Sequence, residues 1–163
     1  MRLVMIRDLS GVEKRFLIYD ETGNLIYRVT GSYDDVGSTL ILWDEEGKKS
    51  VTAVQRNPVK SVYSVQLEGI PVLKIFRRIR YIYPCCKLFD VGWRIKGNLQ
   101  IQEYEVAGTQ GEIVFSQKKI WTSRGEGFEL RIYTPHYQKI CLGIAMALND
   151  TIPSDCCPIF VRS

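Results

Sequence analysis

A stretch of nine residues without a polar side chain, Ile140 to Leu148, lies near the end of the chain within the segment from Tyr137 to Asp150. A helix that is apolar on every side must be surrounded by protein or by lipid. Crossing a bilayer takes about 20 apolar residues, whereas a run of about 10 to 14 is typical of a buried helix. We therefore predict a hydrophobic helix that is enclosed by the rest of the chain and does not span a membrane.

Two similar hairpins are predicted in the first third of the chain. Phe16 to Gly23 and Leu40 to Gly47 each consist of a short apolar strand that leads into an acidic turn closed by glycine. Aspartate supplies a side-chain hydrogen bond in such a turn, and glycine supplies the positive φ that tight turns require. Second strands follow, from Asn24 to Thr30 and from Lys48 to Gln55.

Short strands continue through most of the remaining chain, starting with Ser61 to Leu67 and Ile70 to Phe76. About twelve strands at intervals of about 8 to 12 residues are typical of an all-β sandwich or barrel. A closed barrel has no exposed edges, and one of about twelve strands is too wide inside for its own side chains to fill. We therefore predict a mainly β fold, a closed β-barrel of about twelve strands enclosing the hydrophobic carboxyl-terminal helix, as one domain over residues 1–163.

Small side chains and helix signals refine the prediction for this helix. Gly143 and Ala145 are expected to keep it narrow where the strands approach. Thr134 is a candidate cap and Pro135 suits the first helical position, while Pro153 is expected to follow the end of the helix.

Positive charge is concentrated in one segment of an otherwise ordinary composition. The chain has 163 residues, of which 45% are hydrophobic and 25% charged, and its net charge is +4. This composition is typical of a globular domain. Between Lys74 and Lys96, seven basic residues stand against the single acidic Asp90. Such a segment creates a local positive potential that favours anionic partners.

We predict that basic residues of this segment bind an anionic ligand, with lipid headgroups as the leading class. Clustered cations each add roughly 1 kcal/mol at an anionic membrane surface. The candidate residues are Lys74, Arg77, Arg78, Arg80, Arg94 and Lys96. The alternative is that long cationic side chains only keep the outside of the barrel hydrated. The chain would then be a structural or protein-interaction domain without a small ligand.

Aromatic residues near the cations suggest a further alternative, single-stranded nucleic acid. Tyr81, Tyr83 or Trp93 would stack on bases while the cations follow the phosphates. No oligonucleotide-binding motif supports this alternative, so we do not expect a nucleic acid partner. Trp43, Trp93 and Trp121 are instead expected to pack in the barrel.

Catalytic chemistry is not expected. Nucleophilic hydrolysis needs a nucleophile, a base and an orienting group within hydrogen-bond reach. The only histidine, His136, lies at the start of the predicted helix, and the sequence contains neither a G-x-S-x-G element nor a glycine-rich phosphate loop. We therefore expect no enzyme activity and no cofactor.

The five cysteines are expected to be free thiols in a reducing compartment. They occur as Cys85-Cys86, Cys141 and Cys156-Cys157, and neither adjacent pair has the C-x-x-C spacing of zinc or redox sites. We therefore expect no metal site. The alternative for the adjacent pairs is acylation, which would anchor the protein to a membrane. Because Met1 to Asp8 is too short for a signal peptide, we expect a cytoplasmic protein.

The order of these motifs resembles the LURP-one-related family of Tubby C-terminal-like proteins. The resemblance includes the two acidic hairpins, Tyr63-x-Val65 with Glu68-Gly69, Trp93-x-Ile95-x-Gly97-Asn98, and an apolar helix ending in Leu148-Asn149-Asp150. It covers the chain from about Phe16 to Asp150. It implies a twelve-stranded closed barrel around a central hydrophobic helix.

The resemblance also implies a binding role. Tubby proteins bind phosphoinositide headgroups through basic residues and the related scramblases act at membranes, whereas the activity of LURP-one-related members is largely unassigned. No Tubby headgroup residue is carried over to a position of this sequence. Calcium dependence is not implied, because Asp34-Asp35 and Asp44-Glu45-Glu46 are predicted turn residues that lack EF-hand spacing. We therefore expect a non-catalytic binding module, cytoplasmic and peripheral at the inner membrane surface where it binds lipid.

Overall fold

Twelve strands in one sheet and a long carboxyl-terminal helix make up the fold. The structure is a computed structural model that describes the backbone of residues 1–33, 37–57, 62–79, 84–89, 91–99 and 101–162. It describes the side chains of residues 1–32, 37–55, 62–75, 91–99 and 101–150. The strands are β1 (Arg2–Arg7), β2 (Lys14–Tyr19), β3 (Leu25–Tyr33), β4 (Ser38–Trp43), β5 (Lys49–Asn57), β6 (Val62–Leu67), β7 (Ile70–Ile79), β8 (Pro84–Phe89), β9 (Arg94–Asn98), β10 (Glu103–Ala107), β11 (Ile113–Thr122) and β12 (Gly125–Ile132). A 3-10 helix (Pro135–Tyr137) and the helix α1 (Gln138–Arg162) follow.

Strands that are consecutive in the chain are nearly always neighbours in the sheet. The order across the sheet is β8-β7-β6-β5-β4-β3-β2-β1-β12-β11-β10-β9, and the neighbouring strands are antiparallel. Loops that follow even-numbered strands therefore lie at the end of the sheet where the 3-10 helix leads into α1, which we name the near end. Loops that follow odd-numbered strands lie at the opposite end, which we name the far end.

The two predicted acidic hairpins are confirmed as the connections from β2 to β3 and from β4 to β5. Asp20 Oδ1 accepts hydrogen bonds of 2.9 Å from the backbone N–H groups of residues 22 and 24. Asp44 Oδ1 accepts from the N–H groups of residues 46 and 48, at 2.9 and 2.8 Å. Gly23 and Gly47 have φ of +87° and +78°. The sequence repeat is therefore also a repeat of turn geometry.

The apolar part of α1 is enclosed by strands. The non-glycine residues from Cys141 to Asn149 are each at most 1% exposed. Because nine consecutive helical residues point in all directions around the axis, protein must surround the helix at this level. α1 contacts β4, β5 and β6 and also β11. A Cβ built on Gly143 would lie 2.7 Å from a methyl carbon of Val65 and 3.0 Å from one of Val51. The prediction of an enclosed helix, narrow where strands approach, is confirmed.

The predicted end of the helix is wrong, whereas its start lies within one residue of the predicted Tyr137. Pro135 starts a 3-10 turn that precedes α1, and Thr134 makes no side-chain cap bond there. α1 extends to Arg162 and so passes Pro153. A proline removes one backbone donor and bends a helix, but it does not require the helix to end. Within the described residues, no helix combines the length and the apolar character that spanning a membrane requires.

The three tryptophans have different environments. Trp93 is 8% exposed and its ring lies 5.1 Å from that of Tyr137. Trp43 is half-buried and donates a hydrogen bond of 2.8 Å from its indole nitrogen to Thr30 Oγ1. Trp121 is 80% exposed. The expectation that it packs in the barrel is wrong, because it lies beside the hairpin turn at the end of β11.

The structure shows a mainly β fold with one carboxyl-terminal helix. Whether the sheet closes into a barrel stays a prediction. The pairings of the described residues end at β8 on one side and at β9 on the other, so no described pairing joins these two strands. That residues 1–163 form one domain also stays a prediction.

Candidate functional site

Three of the predicted cations lie where the structure describes their side chains, and all three are exposed. Lys74 lies on β7, while Arg94 and Lys96 lie on β9. Because Arg94 and Lys96 are two residues apart on one strand, they share a face of it. None of the three forms an ion pair with another residue that the structure describes.

The other predicted cations are not gathered at one point of the sheet. Arg77 and Arg78 belong to the last three residues of β7 and lie toward the far end, with side chains outside the described set. Arg80 lies outside the described residues. Arg94 is the first residue of β9 and lies toward the near end. The predicted cations therefore extend along the strands.

Lys96 also lines a groove of about 410 Å³ on β9, β10, β11 and β12. Small-molecule sites have volumes of about 300 to 1,000 Å³, so the groove is large enough for a ligand. Three basic and three acidic side chains line it, namely Lys96, Lys118, Arg131, Glu103, Glu105 and Glu129. Only the first of these was predicted as a site residue. The signal for the three glutamates and Arg131 is their alternation with apolar residues along β10 and β12, whereas Lys118 stands between two polar residues on β11 and carries no such signal.

The register of the sheet alternates charges across this groove. Lys96 on β9 is paired with Glu105 on β10, and Glu105 is paired with Ser116 on β11. Ser116 is in turn paired with Arg131 on β12. Residues directly opposite each other lie on the same face, so the row presents a cation, a carboxylate, a hydroxyl and a cation. This arrangement suits a ligand or partner that carries both signs of charge.

Glu129 is a buried charged side chain of the groove. Its side chain is 7% exposed, and Arg131 Nε donates a hydrogen bond of 2.8 Å to its Oε1. Arg2 Nε lies 3.2 Å from Oε2, and Lys118 Nζ lies 3.9 Å from Oε1. Burial raises the pKa of Glu129, but the hydrogen bonds from Arg131 and Arg2 and the nearby charges outweigh burial and lower it. Glu129 is therefore ionised and neutralises much of the positive charge around it.

Two further residues of the groove connect it to the helix. Tyr104 and Gln117 are buried, and the Tyr104 hydroxyl donates a hydrogen bond of 3.2 Å to Gln117 Oε1. Gln117 also exchanges hydrogen bonds with Asn149 of α1. Hydrogen bonds therefore link β11 of the groove directly to α1, and β10 to it through Tyr104 and Gln117.

Cys141 and His136 are the cysteine and the histidine whose side chains the structure describes. Among the described residues, no three His, Cys, Asp or Glu side chains are placed to hold a metal ion. Burial raises the pKa of the Cys141 thiol to about 12, so the thiol is protonated at neutral pH and is a poor nucleophile. His136 is exposed on the 3-10 helix and contacts the ring of Tyr137. The expectations of no enzyme activity and no metal site stay predictions.

Comparison with known proteins identifies the family. Residues 1–149 match the LURP-one-related (LOR) family, so the chain belongs to this family and the resemblance is confirmed. The uncharacterized protein YxjI of Bacillus subtilis (strain 168) is 26% identical over 157 residues, which are 95% of this chain and 96% of that protein. The X-ray structure of a protein from Arabidopsis thaliana is similar with a TM-score of 0.65 at 18% identity, over 91% of this chain and 89% of that one. This structural similarity concerns the fold.

Proposed function

We propose that the protein is a non-catalytic binding module that binds an anionic group, such as the headgroup of an acidic lipid, through the exposed cations of β7 and β9. The observation that supports this proposal is that Lys74, Arg94 and Lys96 are exposed without an ion-pair partner among the described residues. Some other cations are already neutralised, for example Arg15 by Asp150 at 3.2 Å. Cations without an internal partner attract external anions most strongly.

A closed barrel is part of this proposal. The complete burial of α1 from Cys141 to Asn149 supports closure, as does the contact between β8 and β9. These two strands are consecutive in the chain and run in opposite directions, as a closing antiparallel pair requires. Closure would place β9 two strands from β7, about 10 Å away. Lys74, Arg94 and Lys96 would then lie on one continuous outer surface, and the protein would act in the cytoplasm at the inner membrane surface.

The charged groove supports a second candidate function, interaction with another protein. Alternating charges on four neighbouring strands complement a partner with the opposite alternation, and such complementarity gives specificity more than affinity. This candidate predicts that Glu105 contributes to binding, whereas the first candidate predicts that it opposes binding.

A titration with a soluble headgroup tests the first proposal. Inositol trisphosphate is added to the protein and the heat of binding is measured at low and at high salt. We expect binding that weakens with salt, and a loss of about tenfold or more in the Arg94→Glu, Lys96→Glu double variant. Lys48→Glu with Lys49→Glu is the matched control, since it makes the same change in charge on other exposed residues. No binding by the native protein, or equal loss in both double variants, would contradict the proposal.

A further inference from the structure

Among the described residues, the three most exposed large apolar side chains, Val12, Leu9 and Trp121, lie at hairpin ends on one side of the molecule. Leu9 and Val12, in the connection from β1 to β2, are 90% and 92% exposed. Trp121 at the end of β11 is 80% exposed, and Ile101 between β9 and β10 is 49% exposed. We name these four residues the apolar rim. All of them lie at the far end, because each follows or ends an odd-numbered strand.

The three hairpin ends of the rim follow one another along the far end of the sheet. β9, β10, β11, β12, β1 and β2 are consecutive neighbours in the sheet order. Neighbouring strands lie about 4.8 Å apart, so the three hairpin ends spread over about 20 Å. The three hairpin ends form separate apolar tips, with polar residues between them. A protein partner would need a surface shaped to match each tip, whereas a bilayer interface accepts separate tips without shape complementarity. Tryptophan in particular favours the membrane–water interface, where its ring is partly apolar and partly polar.

The two ends of the sheet differ in charge. The described near-end loops contain one lysine, Lys48, and seven carboxylates, namely Asp20, Glu21, Asp44, Glu45, Glu46, Glu68 and Glu112. The described far-end loops contain one arginine, Arg124, and only two carboxylates, Asp8 and Glu13. Near-end apolar residues such as Ile70 and Tyr133, at 67% and 57% exposure, therefore lie at an acidic end. An anionic bilayer would therefore repel the near end more strongly than the far end.

We propose that the apolar rim inserts into the interface of a phospholipid bilayer and holds the sheet with its near end facing solvent. The four apolar side chains on the three hairpin ends supply the favourable burial, and the charges of the two ends set the orientation. The rim is a different surface from the cations of β7 and β9. The inference therefore does not rest on the proposed headgroup site.

Co-sedimentation with vesicles tests this inference. The probe is phosphatidylcholine vesicles that contain a minor fraction of phosphatidylserine. The triple variant Leu9→Ser, Val12→Ser, Trp121→Ser is expected to lose about tenfold or more of the partitioning, because three buried apolar side chains are removed. The matched control Ile70→Ser with Tyr133→Ser removes exposed apolar residues of the near end and is expected to stay within about twofold of the native protein. Equal partitioning of the triple variant and the native protein, or no partitioning of the native protein, would overturn the inference.

Fluorescence and salt supply independent measurements. On addition of vesicles the emission of the native protein should shift to the blue, and Trp121→Phe should abolish the shift while vesicles still bind. Partitioning through the rim should persist at about 0.5 M salt, whereas binding through surface cations is screened there. If inositol trisphosphate did not bind but the native protein still partitioned to vesicles through the rim, only the proposed function would be contradicted. Self-association that the triple variant abolishes, without vesicle binding, would assign the rim to a second copy of the chain and overturn the inference.

Discussion

The side-chain amides of Asn149 and Gln117 exchange two hydrogen bonds of 2.9 Å, one in each direction, between α1 and β11. The two residues are 0% and 3% exposed. Gln117 Nε2 also donates to the carbonyl oxygen of Gln102 at 3.0 Å. Apolar contacts are non-directional, whereas this amide pair is satisfied only at one rotation and one height of the helix. The pair therefore sets the position of a helix whose other buried contacts are almost all apolar.

Replacement of Asn149 tests this role. Asn149→Leu should lower the free energy of unfolding by about 1 to 3 kcal/mol, because it leaves polar atoms of Gln117 buried without their partners in α1. Urea denaturation measures the change. The double variant with Gln117→Leu should lose less than the sum of the single variants, since the hydrogen bonds between the two side-chain amides are then counted only once, while Tyr104 and Gln102 lose Gln117 equally in the single and the double variant. Gln110→Leu, on an exposed loop, is the control and should stay within about 0.5 kcal/mol. Additive losses would contradict the coupling.

Gly143 is required by the close approach of α1 to β5 and β6. An added Cβ would lie 2.7 Å from Val65 Cγ1. Gly143→Ala should therefore lower the free energy of unfolding by about 1 to 3 kcal/mol through overpacking. This sign is informative, because alanine in a helix is otherwise favoured over glycine by about 1 kcal/mol. Thermal or urea denaturation measures the change.

Two variants control this prediction. Gly11→Ala adds a methyl group whose nearest neighbour lies at an ordinary 3.6 Å, so it should have little effect. Val65→Ala removes the methyl group that lies closest to the new Cβ, at 2.7 Å, while that of Val51 at 3.0 Å remains. The double variant Gly143→Ala with Val65→Ala should lose less free energy of unfolding than the sum of the losses of the two single variants. A stabilising Gly143→Ala would show that the strands can move away from the helix.

Local patterns accounted for the features of the fold that depend on nearby residues. The Asp20 and Asp44 turns were predictable because each aspartate bonds backbone groups two and four residues away. The enclosed helix was predictable because its apolar residues are contiguous. The end of the helix was not predictable, because a proline such as Pro153 is compatible with a bent helix as well as with a helix that ends.

The candidate sites depended on register and on the ends of strands, which local patterns do not determine. Lys96 and Arg131 are far apart in sequence, and they line one groove only because Glu105 and Ser116 are in register between them. The exposure of Trp121 depends on its position at the end of β11. A tryptophan within a predicted strand otherwise indicates a side chain that packs in the core.

Glu129 should contribute stability that depends on pH. Its pKa is lowered in the folded protein, so its contribution is fully present above the unfolded pKa and is lost as pH falls through the folded pKa. Glu129→Gln should lower the free energy of unfolding at neutral pH by about 1 to 2 kcal/mol, since Arg2 and Arg131 lose a carboxylate partner. The difference from the native protein should vanish in acid. Glu105→Gln, an exposed neighbour, should change stability by less than about 0.5 kcal/mol. A difference that persists in acid would show that shape rather than charge is responsible.

Cys141 should be unreactive in the native protein. Because burial raises its pKa from 9.0 to about 12, its thiolate fraction at pH 8 is about a thousandfold lower than in the unfolded chain. Iodoacetamide followed by peptide mass spectrometry should therefore label Cys141 only after unfolding. Rapid labelling under native conditions would show that α1 leaves the sheet on the labelling timescale.

The same shift predicts how stability changes in alkali. A thiol whose folded pKa is raised contributes stability below the unfolded pKa, and that stability is lost as pH rises from 9.0 toward the folded value of about 12. In this window the free energy of unfolding of the native protein should fall faster than that of Cys141→Ala, by up to about 1.4 kcal/mol per pH unit. Urea denaturation at several pH values measures both slopes. Cys141→Ala is itself the control, because all other titrating groups are shared and cancel in the difference. Parallel slopes would mean that the Cys141 thiol reaches solvent in the folded state and that α1 is less completely enclosed than its burial indicates.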